Sequence, residues 1–240
     1  MHFLTELISN AGGRANNEDY CGYKESTNSI CWCLADGLGG HKGGEVASKL
    51  AVDTILQSFE DRCDVSVEFL KELFNLAQNK LLATQDEVFF SMCTTLVVLL
   101  SDYNEAVWAY IGDSRLYYFS NDQIVYQTKD HSVPQSLVDS GEITNEQIRN
   151  HPDRNRLLRV LGRENDVKPS FYNEKVTLKI GDAFLLCSDG FWEYINEIEM
   201  VVDLVKSASP KDWLEHMQDR ILSRAASDND NYSAIAVWAV

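Results

Sequence analysis

The sequence predicts an α+β fold in which sheet packs on sheet and helices lie outside. Three observations carry the prediction. Four strand-like runs follow one another between residues 94 and 128, separated by turn clusters, as an antiparallel meander requires. Helical stripes stand before and after that meander, so strands and helices come in groups rather than in strict alternation. The 240 residues are 45% hydrophobic and 24% charged, enough apolar chain for one large core. No Pro/Ser-rich linker or repeat divides them, so a single domain over 1–240 is expected.

Residues 3–9 read as the first strand, followed by a polar loop over 10–20. Strand signal returns at 29–35 and runs into Asp36-Gly37-Leu38-Gly39-Gly40-His41-Lys42-Gly43-Gly44-Glu45, where glycines allow backbone to come close to a ligand. A helix over 45–59 places Val46, Leu50, Ala51, Ile55 and Phe59 on one face. A second over 66–86 does the same with Val67, Leu70, Phe74, Ala77 and Leu81. The meander strands are 94–100, 106–111, 116–119 and 123–128, with turns at 102–104 and 120–122. Residues 131–163 read as a polar excursion over the surface with short helical pieces. Strands return at 176–178 and 183–187. Asn196 caps a helix reaching Lys206, with Glu199 completing a capping box. Ser209 caps the next, with Pro210 at its first position and Trp213, Leu214, Met217, Ile221 and Leu222 as the expected buried face. Residues 233–240 close the chain as a strand.

The formal net charge of −16 argues against nucleic acid and against an anionic membrane surface, both of which want basic residues. The longest apolar runs are strand-length and cannot span a bilayer. The N-terminus has no basic stretch followed by an apolar core, so no secretory signal is expected. Six cysteines are scattered; Cys31-x-Cys33 on a strand places both thiols on one face, which is not zinc spacing. A reducing cytoplasm is the expected setting.

Acidic residues recur at strand edges. Asp36 follows the apolar run 30–35, and Asp189 follows the apolar run 183–187; each precedes a glycine. Asp113 lies between two strands, Asp230-Asn231 precedes the last one, and Glu18-Asp19 closes the first loop. Any one of these alone reads as a turn residue or a cap. Gathered together, carboxylates repel unless a cation lies among them. A divalent metal such as Mg²⁺ or Mn²⁺, which takes oxygen ligands, is the economical account.

These segments resemble, nearly end to end, the metal-dependent serine/threonine protein phosphatases of type 2C in their compact bacterial form. Arg14 to Asp19 resembles R-x-x-N-E-D, and Asp36 to Glu45 resembles D-G-M-G-G-H-x-x-G-E with Leu38 in place of Met. Met92-Cys93-Thr94-Thr95 resembles M-G-T-T with Cys93 in the glycine position. Gly112-Asp113-Ser114-Arg115 resembles G-D-S-R, and Thr128-Lys129-Asp130-His131-Ser132 resembles T-x-D-H-S. Gly141-x-Ile143-Thr144 and Leu161-Gly162 match the pieces that follow. Cys187-Ser188-Asp189-Gly190 resembles C-S-D-G, and Asp230-Asn231-Tyr232-Ser233 resembles D-N-x-T with Ser for Thr. The family's fold is a pair of packed antiparallel sheets flanked on both outer faces by helices, an α-β-β-α sandwich.

The resemblance implies hydrolysis of phosphoserine and phosphothreonine through a hydroxide bridging two Mn²⁺ or Mg²⁺ ions, with a third, weaker ion as an option. It implies that Asp36 bridges the metals, that the Gly37 carbonyl and a water held by Glu18 serve one ion, and that Asp189 and Asp230 serve the other. Asp113 matches the ligand of the third metal, which Glu193 could join; Asp19 and Asn231 stand behind the ligands, and Arg14 holds the phosphate as a fork. Asp228 offers a second Asp-Asn pair, but Asp230 keeps Ser233 and the following strand in the family register. The histidine that follows Asp-Gly in some relatives is Leu38 here, so His41 is the nearest candidate acid, balanced against a plain loop role. His131 reads as structural. The segment 131–163 matches the flap of bacterial members; its Arg149, Arg154, Arg156, Arg159 and Arg163 are expected to be salt-bridged more than substrate-binding. The implied partners are phosphorylated proteins and a eukaryotic-like serine/threonine kinase, with a cytoplasmic monomer as the simplest setting. The competing readings are an inactive phosphatase-like scaffold, which has no need of metal ligands, and a two-metal hydrolase of small phosphate esters.

Overall fold

In the computed structural model, residues 1–39, 43–85, 92–164 and 167–240 are described. The chain opens with β1 (Phe3–Asn10), β2 (Asp19–Glu25) and β3 (Ile30–Leu38), then the helices α1 (Gly43–Arg62) and α2 (Val67–Thr84). The meander comprises a short β4 (Cys93–Thr94), then β5 (Leu96–Ser101), β6 (Glu105–Ile111), β7 (Arg115–Ser120) and β8 (Gln123–Gln127). After α3 (Val133–Asp139) and a 3-10 turn at Asn145–Asn150 come β9 (Ser170–Phe171), β10 (Val176–Thr177) and β11 (Ala183–Cys187). The chain ends with α4 (Asp189–Trp192), α5 (Glu197–Lys206), α6 (Pro210–Arg224) and β12 (Tyr232–Ala239).

One sheet runs β1-β12-β11-β7-β8 and the other β10-β6-β5-β3-β2, with β4 added to β3 and β9 to β6; the pairings are antiparallel. Period-two alternation decides which face of each strand goes where. On β3, Ile30, Trp32 and Leu34 point between the sheets, where they meet Val97, Trp108, Phe184 and Ile235. Cys31, Cys33 and Ala35 point the other way, onto Ala51, Ile55, Phe59, Leu70 and Phe74 of α1 and α2. On β11, Phe184 and Leu186 face inward while Ala183, Leu185 and Cys187 face Trp213, Leu214 and Met217 of α6. Strands buried on both faces explain why these runs are apolar throughout rather than alternating.

The caps behave as the sequence predicts. The Asn196 side chain accepts from the Glu199 amide at 3.0 Å, and Glu199 accepts from the Asn196 amide at 3.1 Å. Ser209 accepts from the Asp212 amide at 3.1 Å, with Pro210 opening α6.

The expectations need correction in four places. Asp36 does not stand past the end of its strand: β3 continues to Leu38 because Gly37 and Leu38 pair with Thr94 and Cys93 of β4. Leu222 is 66% exposed, since one helical step beyond buried Ile221 carries it off the inner face of α6. The loop expected over 10–20 stops short and a whole strand was not expected: Asp19 and Tyr20 open β2, paired with Asp36 and Ala35, because β3 offers an edge to a run whose Asp, Gly, Lys and Glu carry little strand signal. β9 was not expected either; two residues are too few to show a period, and Ser170–Phe171 is a strand only because β6 offers an edge.

Candidate active site

Acidic side chains from separate segments line one cavity of about 340 Å³. Glu18 comes from the first loop, Asp36 from β3, Asp113 from the β6–β7 turn, Asp189 from the first position of α4 and Asp230 from the residues before β12. Gly37, Arg14 and Asn231 line the same cavity.

The backbone of Asp36 is held on both sides. Its amide donates to Thr95 Oγ1 at 2.9 Å, and its carbonyl accepts from the Thr95 amide and from Thr94 Oγ1, each at 2.9 Å. The β2–β3 register sets Asp19 opposite Asp36. Asp19 Oδ2 accepts from Ser188 Oγ at 2.7 Å, while its buried Oδ1 has no hydrogen-bond partner among the described residues. Asn231 staples the first loop into place: Oδ1 accepts from the Glu18 amide at 2.8 Å, and Nδ2 donates to the carbonyls of Ala11 at 2.8 Å and Asn16 at 2.9 Å. Arg14 Nη2 reaches Asp230 Oδ2 at 3.1 Å from a half-exposed position.

Gly37 is set where a side chain would collide. A Cβ there would lie 2.1 Å from the Gly44 carbonyl oxygen and 2.7 Å from that of Glu18, so β3, α1 and the first loop meet at bare backbone. Gly37→Ala is therefore expected to destabilise the protein by about 2 kcal/mol or more, read from denaturant unfolding. A change under about 0.5 kcal/mol would show that the three segments are not in contact there.

The electrostatics are those of crowded carboxylates, opposed only in part by Arg14 and Arg115. Burial, and then Asp19, Asp189 and Asp113, push Asp36 well above the usual carboxylate range. Burial and then Asp189 do the same to Asp113. Burial, then Asp230, raise Asp189 to about 6, and burial raises Asp19 to about 7 against the opposing Ser188 hydrogen bond. Burial and Asp230 also raise Glu18. Among the described residues no three acidic, histidine or cysteine side chains converge as a ready-made ligand shell. The donors around the cavity are nevertheless carboxylates and a backbone carbonyl, with an orphaned buried oxygen on Asp19 behind them, and that set fits a hard divalent cation completed by water.

A pH dependence follows. A carboxyl group whose pKa rises on folding binds its proton more tightly in the folded chain; it contributes stability at low pH and loses it as pH rises through the folded value. For Asp189 and Asp19 that loss runs from the ordinary carboxylate value up through about 6 and about 7. A divalent ion replaces those protons, so Mn²⁺ is expected to raise Tm more at about pH 8 than at about pH 5.5 in scanning calorimetry. Equal metal-induced shifts at the two pH values would separate this cluster from metal binding.

The family model for protein phosphatase 2C matches residues 9–230. This chain belongs to the protein phosphatase 2C family. Over 211 residues it is 34% identical to the protein phosphatase PhpP of Streptococcus pneumoniae, covering 85% of each chain. Among solved structures, the serine/threonine phosphatase Stp1 from Staphylococcus aureus superposes with a TM-score of 0.88 at 31% identity, covering 99% of this chain and 95% of that one. The catalytic domain of the serine/threonine protein phosphatase PstP, solved in complex with 2 manganese ions, superposes with a TM-score of 0.80 at 27% identity, covering 98% and 97%. These similarities carry the α-β-β-α sandwich and the phosphatase 2C assignment together.

Within this phosphatase 2C chain, the cavity gathers Arg14, Glu18, Asp36, Gly37, Asp113, Asp189, Asp230 and Asn231, and leaves Asp228 off its wall. His41 lies outside the described residues. Glu193 is turned to Arg154 at 2.7 Å. His131 is buried, pushed down to about 4 by burial, with Nδ1 accepting from the Gly112 amide at 3.1 Å. Asn155 and Leu157, from the irregular segment, also line the cavity, and sequence reasoning missed both; nothing in their local pattern distinguishes them from other loop residues. It also missed the buried fork of Arg115 onto Asp130, at 2.8 and 2.7 Å. Pairing β7 with β8 would have placed those opposite charges together at the open end of one hairpin.

Proposed function

We propose that this phosphatase 2C member hydrolyses phosphoserine and phosphothreonine in proteins, with Mn²⁺ or Mg²⁺ as cofactor. The observation that carries the reading is the convergence of Asp36, Asp189, Asp230, Glu18 and Asp113 on one cavity whose mouth holds an arginine. Asp36 would hold two ions at once; the Gly37 carbonyl and Glu18 through water would complete one, and Asp189 and Asp230 the other. Asp113 would serve a third. Bound there, the ions supply a water that is deprotonated near neutral pH and positive charge against the phosphoryl oxygens. Asp19 and Asn231 keep the ligand-bearing loops in register through Ser188 and the Glu18 amide.

Arg14 is suited to receive the phosphate. Its side chain is 56% exposed and, among the described residues, is restrained by one hydrogen bond to Asp230, which leaves donors to fork onto two phosphoryl oxygens. That fork orients phosphorus for in-line attack and offsets charge as it develops. No cysteine is needed as nucleophile: burial raises Cys187 and Cys93 above the usual thiol range.

We read residues 1–240 as one catalytic domain with 131–163 as its flap. Arg149 pairs with Glu197, Arg154 with Glu193 and Arg156 with Asp153, which supports an architectural role for these arginines. Asn155 and Leu157 bring the flap to the cavity, where they would meet residues beside the phosphate. Phosphoproteins are the substrates in this reading, and a eukaryotic-like serine/threonine kinase is the activity it opposes, in a cytoplasmic monomer. The acidic charge of −16 supports a partner other than nucleic acid, and no helix among the described residues is long and apolar enough to cross a membrane.

The test is phosphate release from a phosphothreonine peptide, metal-free and with added Mn²⁺, for the parent and for Asp189→Asn. Release that requires metal and falls by at least about a hundredfold in the variant is the expected result. A folded parent that releases no phosphate with any divalent metal would return the scaffold reading.

A further inference from the structure

We propose that Trp192 is a positioning residue that holds Asp113 in register with Asp189, with Arg115 bracing its ring. The inference rests on the metal-dependent reading above and adds a residue that reading does not use.

Asp189 and Trp192 are the two ends of α4, a single helical turn, so where one goes the other follows. The Trp192 indole Nε1 donates to the main-chain carbonyl of Asp113 at 2.9 Å, inside the protein. This bond joins the turn that carries Asp189 to the turn that carries Asp113, which belong to different segments of the chain. The indole cannot swing away. The Arg115 guanidinium lies 3.5 Å from its ring centroid, and Arg115 is itself fixed by its fork onto Asp130 and by a 3.1 Å hydrogen bond to Tyr117 Oη. Arg149 donates to the Trp192 carbonyl and lies 5.5 Å from the ring centroid.

The Asp113 turn is anchored on its other sides as well. His131 donates its amide to the Gly112 carbonyl at 2.8 Å and takes the Gly112 amide on Nδ1 at 3.1 Å. Gly112 adopts a φ of 100°, directly over Thr95, whose hydroxyl meets Ser114 Oγ at 2.7 Å and also receives the Asp36 amide. Thr95 therefore sets Asp113 relative to Asp36, and Trp192 sets it relative to Asp189. Coulombic interaction between carboxylates varies steeply with separation, so slack in this strut changes what cation the Asp113 side of the cavity can share.

Trp192→Phe deletes the N–H donor and leaves a ring over Arg115. Loss of one buried hydrogen bond is expected to weaken the weakest Mn²⁺ binding step about tenfold. Free Mn²⁺, counted by electron paramagnetic resonance during titration of metal-free protein, reads that step without any turnover. The metal concentration giving half-maximal phosphate release should rise in parallel, while KM for the phosphopeptide moves less than about twofold. In an Asp113→Asn background the same substitution should change Mn²⁺ binding by less than about twofold, because the strut then has no ligand to place. Unchanged Mn²⁺ binding in folded Trp192→Phe, or an equal loss in both backgrounds, would overturn the proposal. Should Trp192→Phe fail to fold, Arg115→Lys keeps the charge opposite Asp130 but removes the planar brace. It must then weaken Mn²⁺ binding in the same Asp113-dependent way, and failure to do so overturns the proposal equally. A parent that binds Mn²⁺ yet releases no phosphate would sink the phosphatase reading alone, leaving the strut to be judged by the titration.

Discussion

Asp36→Asn is expected to lower metal-dependent phosphate release by at least about a hundredfold, while making the metal-free protein more stable rather than less. The two effects have one cause. Thr94 and Thr95 hold the Asp36 backbone on both sides, so an amide of nearly the same shape takes the same place. The charge it removes repels Asp19, Asp189 and Asp113. In metal-free protein at about pH 8 that relief is worth on the order of 1 kcal/mol after allowing for the open cavity, or a few degrees in Tm. With Mn²⁺ present the order reverses, because only the parent gains binding energy from the ion. Phosphate release and scanning calorimetry, each with and without Mn²⁺, check both halves. A variant that keeps parental activity would remove Asp36 from the metal centre. One that loses activity by unfolding would show the side chain to be structural.

Asp130→Ala should be among the most destabilising single substitutions in the chain. It leaves Arg115, whose side chain is 4% exposed, without the carboxylate that receives two of its hydrogen bonds, and with Glu197 at the longer distance of 3.7 Å as its remaining ion-pair partner. Removing one partner of a buried ion pair costs about 3–5 kcal/mol, which for a chain of this size lowers Tm by roughly 10 °C. The double variant Arg115→Met with Asp130→Leu should recover much of that loss, since it leaves no buried charge uncompensated. It should not recover full Mn²⁺ affinity, because the brace on Trp192 is gone. Urea unfolding of the three variants decides the matter. A loss below about 1 kcal/mol in Asp130→Ala would mean that Arg115 finds water or another partner.

Much of the fold was legible in local pattern, the helices in their apolar stripes and the doubly buried strands in their unbroken apolar runs. The runs at 30–35, 96–100 and 183–187 are apolar throughout because they are buried on both faces, and the capping box of α5, the Ser209 cap of α6 and the stripes of α2 and α6 need only local chemistry. Where reading failed, the deciding contact was distant. β3 continues through Asp36 because β4 is there to pair with it, and β9 exists because β6 has a free edge. Arg115 and Asp130 lie 15 residues apart and look like two ordinary surface charges until the β7–β8 hairpin closes.

The sequence by itself determined the chemical inventory: carboxylates and glycines at strand edges, an arginine in the first loop, and a large excess of acidic over basic residues, because residue type and local spacing are properties of the chain alone. Only the tertiary structure decided which carboxylates line one cavity, that Asp19 stands opposite Asp36, that Asn231 staples the Glu18 loop, and that Trp192 spans from the Asp189 turn to Asp113. Those relations depend on separations of a few ångström between segments far apart in the chain. Sheet register and helix packing set such distances, and no local pattern records them.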